Sequence, residues 1–267
     1  MSKTYLGILL PALLLFSFLD SKSQKIDTSL NYKSYFDEFK VEGSFVLYDL
    51  KLDQYRIYNP RQFNEDFCPA STFKICNALI GLETGVIKDE NFIIPWDRII
   101  RKNKNWDRDN DLKDAFKNST VWYFQELARR VGEKEMKYWV EKLHYGNENI
   151  KGGIDKFWLS GELRITPRQQ IDFLVRLYSN QFPLSQRSLE ILKKIMIVEK
   201  TEDFILRAKT GWALVNNTGW YVGYVERKDN VFFFACCVQG NDFNMNDFGR
   251  SRIEITRRIL KDLKILK

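Results

Sequence analysis

Ser71-Thr72-Phe73-Lys74 sets a hydroxyl and an amine three residues apart. On a helix, residues i and i+3 share a face, so a nucleophile and its base can meet there. A serine at a helix start also feels the positive end of the helix dipole, which favours an attacking oxyanion. Lys74 lies within an apolar run of Phe73, Ile75, Cys76, Ala78, Leu79 and Ile80. Burial in such a run lowers the pKa of an amine, because desolvation disfavours the charged form. The second chemical cluster is Lys209-Thr210-Gly211-Trp212, at the end of a strand-like pattern. It offers a cation and a hydroxyl to a substrate carboxylate, with a glycine that lets a ligand approach the backbone. Each motif alone is common. A surface N-cap followed by a solvated lysine gives the first, and a hairpin turn gives the second.

Composition narrows the chemistry. The chain of 267 residues has one histidine, His144. His-rich metal sites, HExxH included, are therefore excluded, and a Ser-His-Asp triad has only His144 to use. That residue reads as a surface or loop position. A formal net charge of +7 can steer anions towards the surface. It falls short of the concentrated basic stripe of a nucleic-acid binder. Neither a GxGxxG nor a Walker lysine motif occurs. Cys68, Cys76, Cys236 and Cys237 read as buried apolar thiols, with the adjacent pair pointing to opposite faces of a strand. No CxxC pair supports a redox or zinc site.

These residues need elements to position them. Residues 31–40 read as a short amphipathic helix, and 43–50 and 54–59 as two strands. A helix opens at Pro69-Ala70-Ser71 and ends near Gly85. Acidic and basic residues alternate through 96–118, which reads as a solvated loop. Helical periodicity recurs over 121–132, 133–144, 166–179 and 185–199. Three strands follow at 204–211, 219–227 and 230–239, and a last helix runs from about Asp247 to Leu263. The fold class predicted is α+β. One antiparallel sheet is built from both chain ends and flanked by the terminal helices, with a helical subdomain inserted between. Trp220 and Tyr221 alternate along a strand and read as core or pocket wall.

Lys3, an apolar run from Tyr5 to Leu19, and Ser21 and Ser23 before Gln24 have the form of a signal peptide. The run is shorter than the roughly 20 residues a spanning helix needs. The expected organisation is a leader over 1–23 and a catalytic domain over 24–267, in the periplasm or secreted, with no membrane attachment after cleavage.

S-x-x-K and K-T-G in this order match serine acyl-transferases that recognise penicillin, whose middle signature is S-D-N. Here the middle element is Ser119-Thr120-Val121, followed by Tyr145-Gly146-Asn147 and by Trp158-Leu159-Ser160-Gly161. Together these motifs closely resemble the class D (oxacillinase-type) serine β-lactamases. The resemblance runs through 69–87, the pairs Trp96-Asp97 and Trp106-Asp107, 118–132, 157–174 and 219–224 to the last helix. It implies that Ser71 opens the β-lactam ring and becomes acylated. It implies that Lys74 is carboxylated by CO2 and serves as base, with Ser119 as proton relay, Val121 keeping the pocket apolar and Trp158 donating to the carbamate. The backbone N–H groups of Ser71 and Trp212 would form the oxyanion hole. Lys209, Thr210, Gly211 and Arg252 would meet the substrate carboxylate, with Arg250 as runner-up to Arg252. Tyr145-Gly146-Asn147 would support the site without a chemical step. Glu162 only superficially resembles the deacylating glutamate of other acyl-enzyme hydrolases. The implied activity is β-lactam hydrolysis needing no metal or organic cofactor. The alternatives are a non-hydrolytic β-lactam sensor, which sits behind membrane helices and a protease domain, and a penicillin-binding transpeptidase or carboxypeptidase, whose middle motif is usually S-x-N. Substrate spectrum and oligomeric state are not legible in the residues.

Overall fold

The computed structural model describes residues 24–240 and 245–267, with side chains from 247 onward in the second stretch. The leader expected at 1–23 lies outside the described residues.

The chain opens with β1 (Lys25–Asp27), α1 (Lys33–Glu38), β2 (Glu42–Asp49) and β3 (Gln54–Tyr58). A 3-10 turn over Ala70–Phe73 leads into α2 (Lys74–Glu83). Then come α3 (Leu112–Lys117), α4 (Val121–Val131), α5 (Glu133–Lys142), α6 (Pro167–Tyr178) and α7 (Gln186–Ile195). The chain closes with β4 (Ile197–Lys200), β5 (Phe204–Ala213), β6 (Thr218–Arg227), β7 (Val231–Gln239) and α8 (Met245–Asp262).

The sheet has the order β1-β3-β2-β7-β6-β5-β4. β2 pairs with β7, so the two chain ends meet in the middle of the sheet, as the sequence predicts. The edge strand β1 is the exception to the antiparallel pattern, because it pairs with β3 in parallel. Alternation along the strands divides the core. Trp220, Val222 and Tyr224 of β6 face the helices α2, α4 and α6, whereas Tyr221 and Val225 face α1 and α8. Both faces are covered, which is why β6 and β7 read as nearly continuous apolar runs. The inserted helical part shares one continuous core with its face of the sheet.

Two expected elements differ. The helix expected over 185–199 stops at Ile195, and Ile197–Lys200 becomes edge strand β4. The stretch 96–118 is not wholly loop, since Asp111 caps α3 by accepting from the Asp114 N–H at 2.7 Å. Its alternating charges do pair locally, as Arg101 with Asp97 and Arg108 with Asp114.

Candidate active site

Ser71 lies in the 3-10 turn, one turn before α2 begins. In a 3-10 helix, side chains at i and i+3 eclipse. Ser71 and Lys74 therefore meet closely, with Lys74 Nζ 2.5 Å from Ser71 Oγ. The residue before the serine, Ala70, is buried with φ of 49°, in the left-handed region that L-residues other than Gly, Asn and Asp seldom adopt. Such a conformation costs of order 1–3 kcal/mol and persists only where its surroundings hold it. Thr72 holds this turn: its Oγ1 donates to Pro69 O at 2.8 Å and accepts from Gln170 Nε2 of α6 at 2.9 Å. Behind it, Phe73 packs on Tyr145, Phe157 and Trp158, with ring centroids 5.3, 5.0 and 5.4 Å away.

Lys74 is fully buried. Burial, and then the positive charge of Lys209, push its amine well below the usual lysine pKa. The Phe124 ring lies 5.4 Å from its Nζ. No carboxylate pairs with Lys74 among the described residues, so nothing opposes that shift. Trp158 is also fully buried, and its Nε1 has no hydrogen-bond partner among the described residues. A buried indole N–H without an acceptor is costly, and calls for an explanation. Val121, half-buried at the start of α4, stands two residues beyond Ser119.

β5 supplies the opposite wall. Phe204, Leu206 and Ala208 face the α8 side, so Lys209 and Gly211 face the nucleophile turn while Thr210 and Trp212 face α8. Lys209 Nζ donates to Ser119 Oγ at 3.0 Å and to Thr210 O at 3.2 Å. Ser119, expected between Ser71 and Lys74, thus has its bond to Lys209. It sits at φ of 55°, fixed between α3 and α4. Burial, then the Arg252 charge, lower Lys209 to about 7. Arg252 is buried, and its guanidinium lies 5.7 Å from the Trp212 ring centre and donates to Phe248 O at 3.2 Å. Burial lowers it to about 10. Arg250 is exposed, so Arg252 is the arginine the fold brings to Lys209. Neither Lys209 nor Arg252 has a carboxylate partner among the described residues. Two buried basic groups with no counter-ion among the described residues make a receptor for an anion.

Gly211 also lets two stretches of backbone approach each other. A Cβ there would lie 2.9 Å from Pro69 O and 3.0 Å from Thr72 Cγ2. Its missing side chain lets β5 pack directly against the nucleophile turn. Asn147 ties down the segment after Trp158: its Nδ2 donates to Glu162 O at 2.9 Å and its Oδ1 accepts from Arg164 N at 3.0 Å. That segment in turn bridges to Phe67, just before the turn. Glu162 is exposed, and its carboxylate accepts from Asn149 at 2.9 Å. His144 is exposed and lies 3.0 Å from Glu148. Trp220 is a core residue whose Nε1 donates to Cys68 O at 2.9 Å. Ala70, Thr72 and Gln170 carry no signal that marks them in the sequence. No cluster of three metal-ligating side chains occurs among the described residues. No helix among them is long and apolar enough to cross a membrane.

A family model described as the penicillin binding protein transpeptidase domain matches residues 18–261. The chain is 42% identical over 238 residues to β-lactamase OXA-48 of Klebsiella pneumoniae, covering 88% of this chain and 89% of that one. It is 38% identical over 233 residues to the regulatory protein BlaR1 of Bacillus licheniformis, covering 86% of this chain but only 38% of BlaR1. The crystal structure of the class D β-lactamase YbXI from Nostoc superposes with a TM-score of 0.85 at 43% identity, covering 89% of this chain and all of that one.

Proposed function

Because the chain belongs to the class D serine β-lactamase family, we propose that it hydrolyses β-lactam antibiotics through an acyl-enzyme on Ser71. The observation that carries this reading is Lys74 Nζ, buried and 2.5 Å from Ser71 Oγ, beside Lys209 and Arg252, which lack carboxylate partners among the described residues. In this scheme Ser71 Oγ gives up its proton and attacks the lactam carbonyl. The ring C–N bond breaks, the nitrogen takes a proton, and the acyl group remains as an ester on Ser71. Water then cleaves the ester and Ser71 regains its proton. Lys209 and Thr210 of β5 and Arg252 of α8 bind the substrate carboxylate, and Gly211 keeps β5 against the Ser71 turn. Ser119, bonded to Lys209, is the proposed proton relay. The N–H groups of Ser71 and Trp212 are the proposed oxyanion donors.

The low pKa of Lys74 supports its reaction with CO2, in which the neutral amine gains a carboxyl group and loses one proton. When so modified, Lys74 carries an anionic general base. The residues present fit that group: Trp158 Nε1 is a buried donor in want of an acceptor, and Val121 adds apolar surface. Metal and organic cofactors have no part in this reading.

A second reading, a sensor that is acylated without turnover, is favoured by the similarity to BlaR1. Incubation with excess penicillin separates the two. We expect many turnovers per protein; one long-lived adduct per chain, without further hydrolysis, would overturn the hydrolase reading. We also propose export to the periplasm or beyond, with residues 1–23 removed and 24–267 forming the catalytic domain. Lys3, the apolar run and Ser21/Ser23 support it. N-terminal sequencing should begin within a few residues of Gln24, and an intact Met1 on membrane-bound protein would refute it.

A further inference from the structure

A groove of about 460 Å³ opens beside the anion-receiving wall of the site, with Lys209 and Thr210 in its lining. It exists because β5 loses its neighbour. β4 pairs as far as Arg207, and Ala208 N donates to Met196 O at 3.0 Å. From Lys209 onward no strand among the described residues pairs with that edge. Phe116, Ile195 to Val198 and Ile253 give the groove apolar surface. Its other charged lining residues are all cations: Lys113, Lys117, Lys194 and Arg257. Three of these are matched by carboxylates that do not line the groove. Lys113 lies 3.5 Å from Asp111, Lys194 2.6 Å from Glu90 and Arg257 2.7 Å from Glu199. Lys117, at the end of α3, has no carboxylate within ion-pair distance among the described residues. The uncommitted positive charge of the groove therefore rests on Lys209 inside and Lys117 at the rim.

We propose that this groove selects β-lactams carrying a second anionic group, on an apolar arm attached beside the ring carboxylate. The proposal rests on Lys209 and Thr210 holding that carboxylate. The arm then lies along Phe116 and the Ile195–Val198 segment, which shed water as it binds. Its terminal acid meets Lys117, with Lys113 one helical turn away. The groove is large enough for such an arm, since small-molecule sites begin near 300 Å³. Lys117 acts on specificity and takes no part in the bond-breaking steps.

The test uses two cephems that differ in one group: a 3-styryl cephem and its 4-carboxystyryl analogue, neither of which expels its arm. Benzylpenicillin, which has no such arm, is the control. Acylation rates are read as mass gain on the protein, so the comparison holds whether or not hydrolysis follows. The wild type should favour the carboxylated cephem by about three- to tenfold at low salt, the range expected of one or two exposed charge contacts. The preference should shrink as salt screens the charges. Lys117→Gln should remove most of it and Lys113→Gln/Lys117→Gln the remainder, with benzylpenicillin unchanged in both. Equal rates for the two cephems in the wild type, or a preference that survives the double substitution, would overturn the proposal. Failure of all three compounds to acylate Ser71 would instead refute the reading on which it rests.

Discussion

Ser71→Ala should abolish both β-lactam turnover and the penicillin-sized mass adduct, with kcat falling on the order of a million-fold, as it does when other serine hydrolases lose their nucleophile. The size of the effect follows from the chemistry, because Ser71 Oγ is the hydroxyl that lies 2.5 Å from the buried Lys74 amine. Ser119 is the nearest competitor, but its Oγ is held by Lys209 and its backbone is fixed at φ of 55°. The substitution removes one oxygen from a turn that Thr72, Gln170 and Pro69 hold independently. The variant should therefore melt close to the wild type, which separates lost chemistry from lost folding. An adduct mapped to Ser119, or turnover persisting in the alanine variant, contradicts the assignment.

The second large effect belongs to Lys74. Its folded pKa lies well below that of an unfolded lysine, for which 10.5 is the reference. Above the folded value the amine is neutral and open to CO2; as pH falls through that value it is protonated and closed to it. Between the two values the unfolded chain binds a proton that the folded chain does not, so stability rises with pH across that window. We expect turnover to decline in degassed buffer at mildly acidic pH and to recover with bicarbonate. A lysine carbamate signal should appear by NMR with 13C-bicarbonate. Lys74→Ala should lose deacylation most severely and slow acylation as well. Trp158→Phe keeps the stack on Phe73 but removes the N–H, and should need more bicarbonate for the same rate. Lys209 adds the opposite limb. At about 7 it loses charge as pH rises, so KM for a carboxylate substrate should climb above neutrality. Indifference to bicarbonate, together with no carbamate signal, would show that Lys74 works unmodified.

Much of this was legible in the residues, for reasons that differ by element. Ser71 and Lys74 are legible only in combination, because Ser119-Thr120-Val121, Trp158 and Lys209-Thr210-Gly211 follow them in the order of one family. β6 and β7 are legible because both faces of the sheet are buried. β4 was hidden because Ile195-Met196-Ile197-Val198 continues the apolar rhythm of α7, and only pairing with β5 ends the helix. β1 is three residues with no pattern of its own. α3 lies within a charged stretch, where local ion pairs and a loop look alike. The left-handed Ala70 leaves no trace in composition, since alanine is not a residue that advertises such a backbone. Gly211 has a packing role that the sequence hides, since its missing Cβ faces Pro69 and Thr72. Gln170 resembles any polar residue on an amphipathic helix until Thr72 is seen to need it.

The four thiols bear on the export proposed above. Cys68, Cys76, Cys236 and Cys237 are all buried and unpaired, and Cys236 and Cys237 enter the cores on opposite sides of the sheet. Once folded, Cys76, Cys236 and Cys237 are fully enclosed, whereas Cys68 lines a pocket at the surface. Oxidation is therefore governed by timing: the chain is vulnerable between its emergence and the closing of its two cores. After that interval three of the thiols are closed off, and Cys68 alone borders a surface pocket.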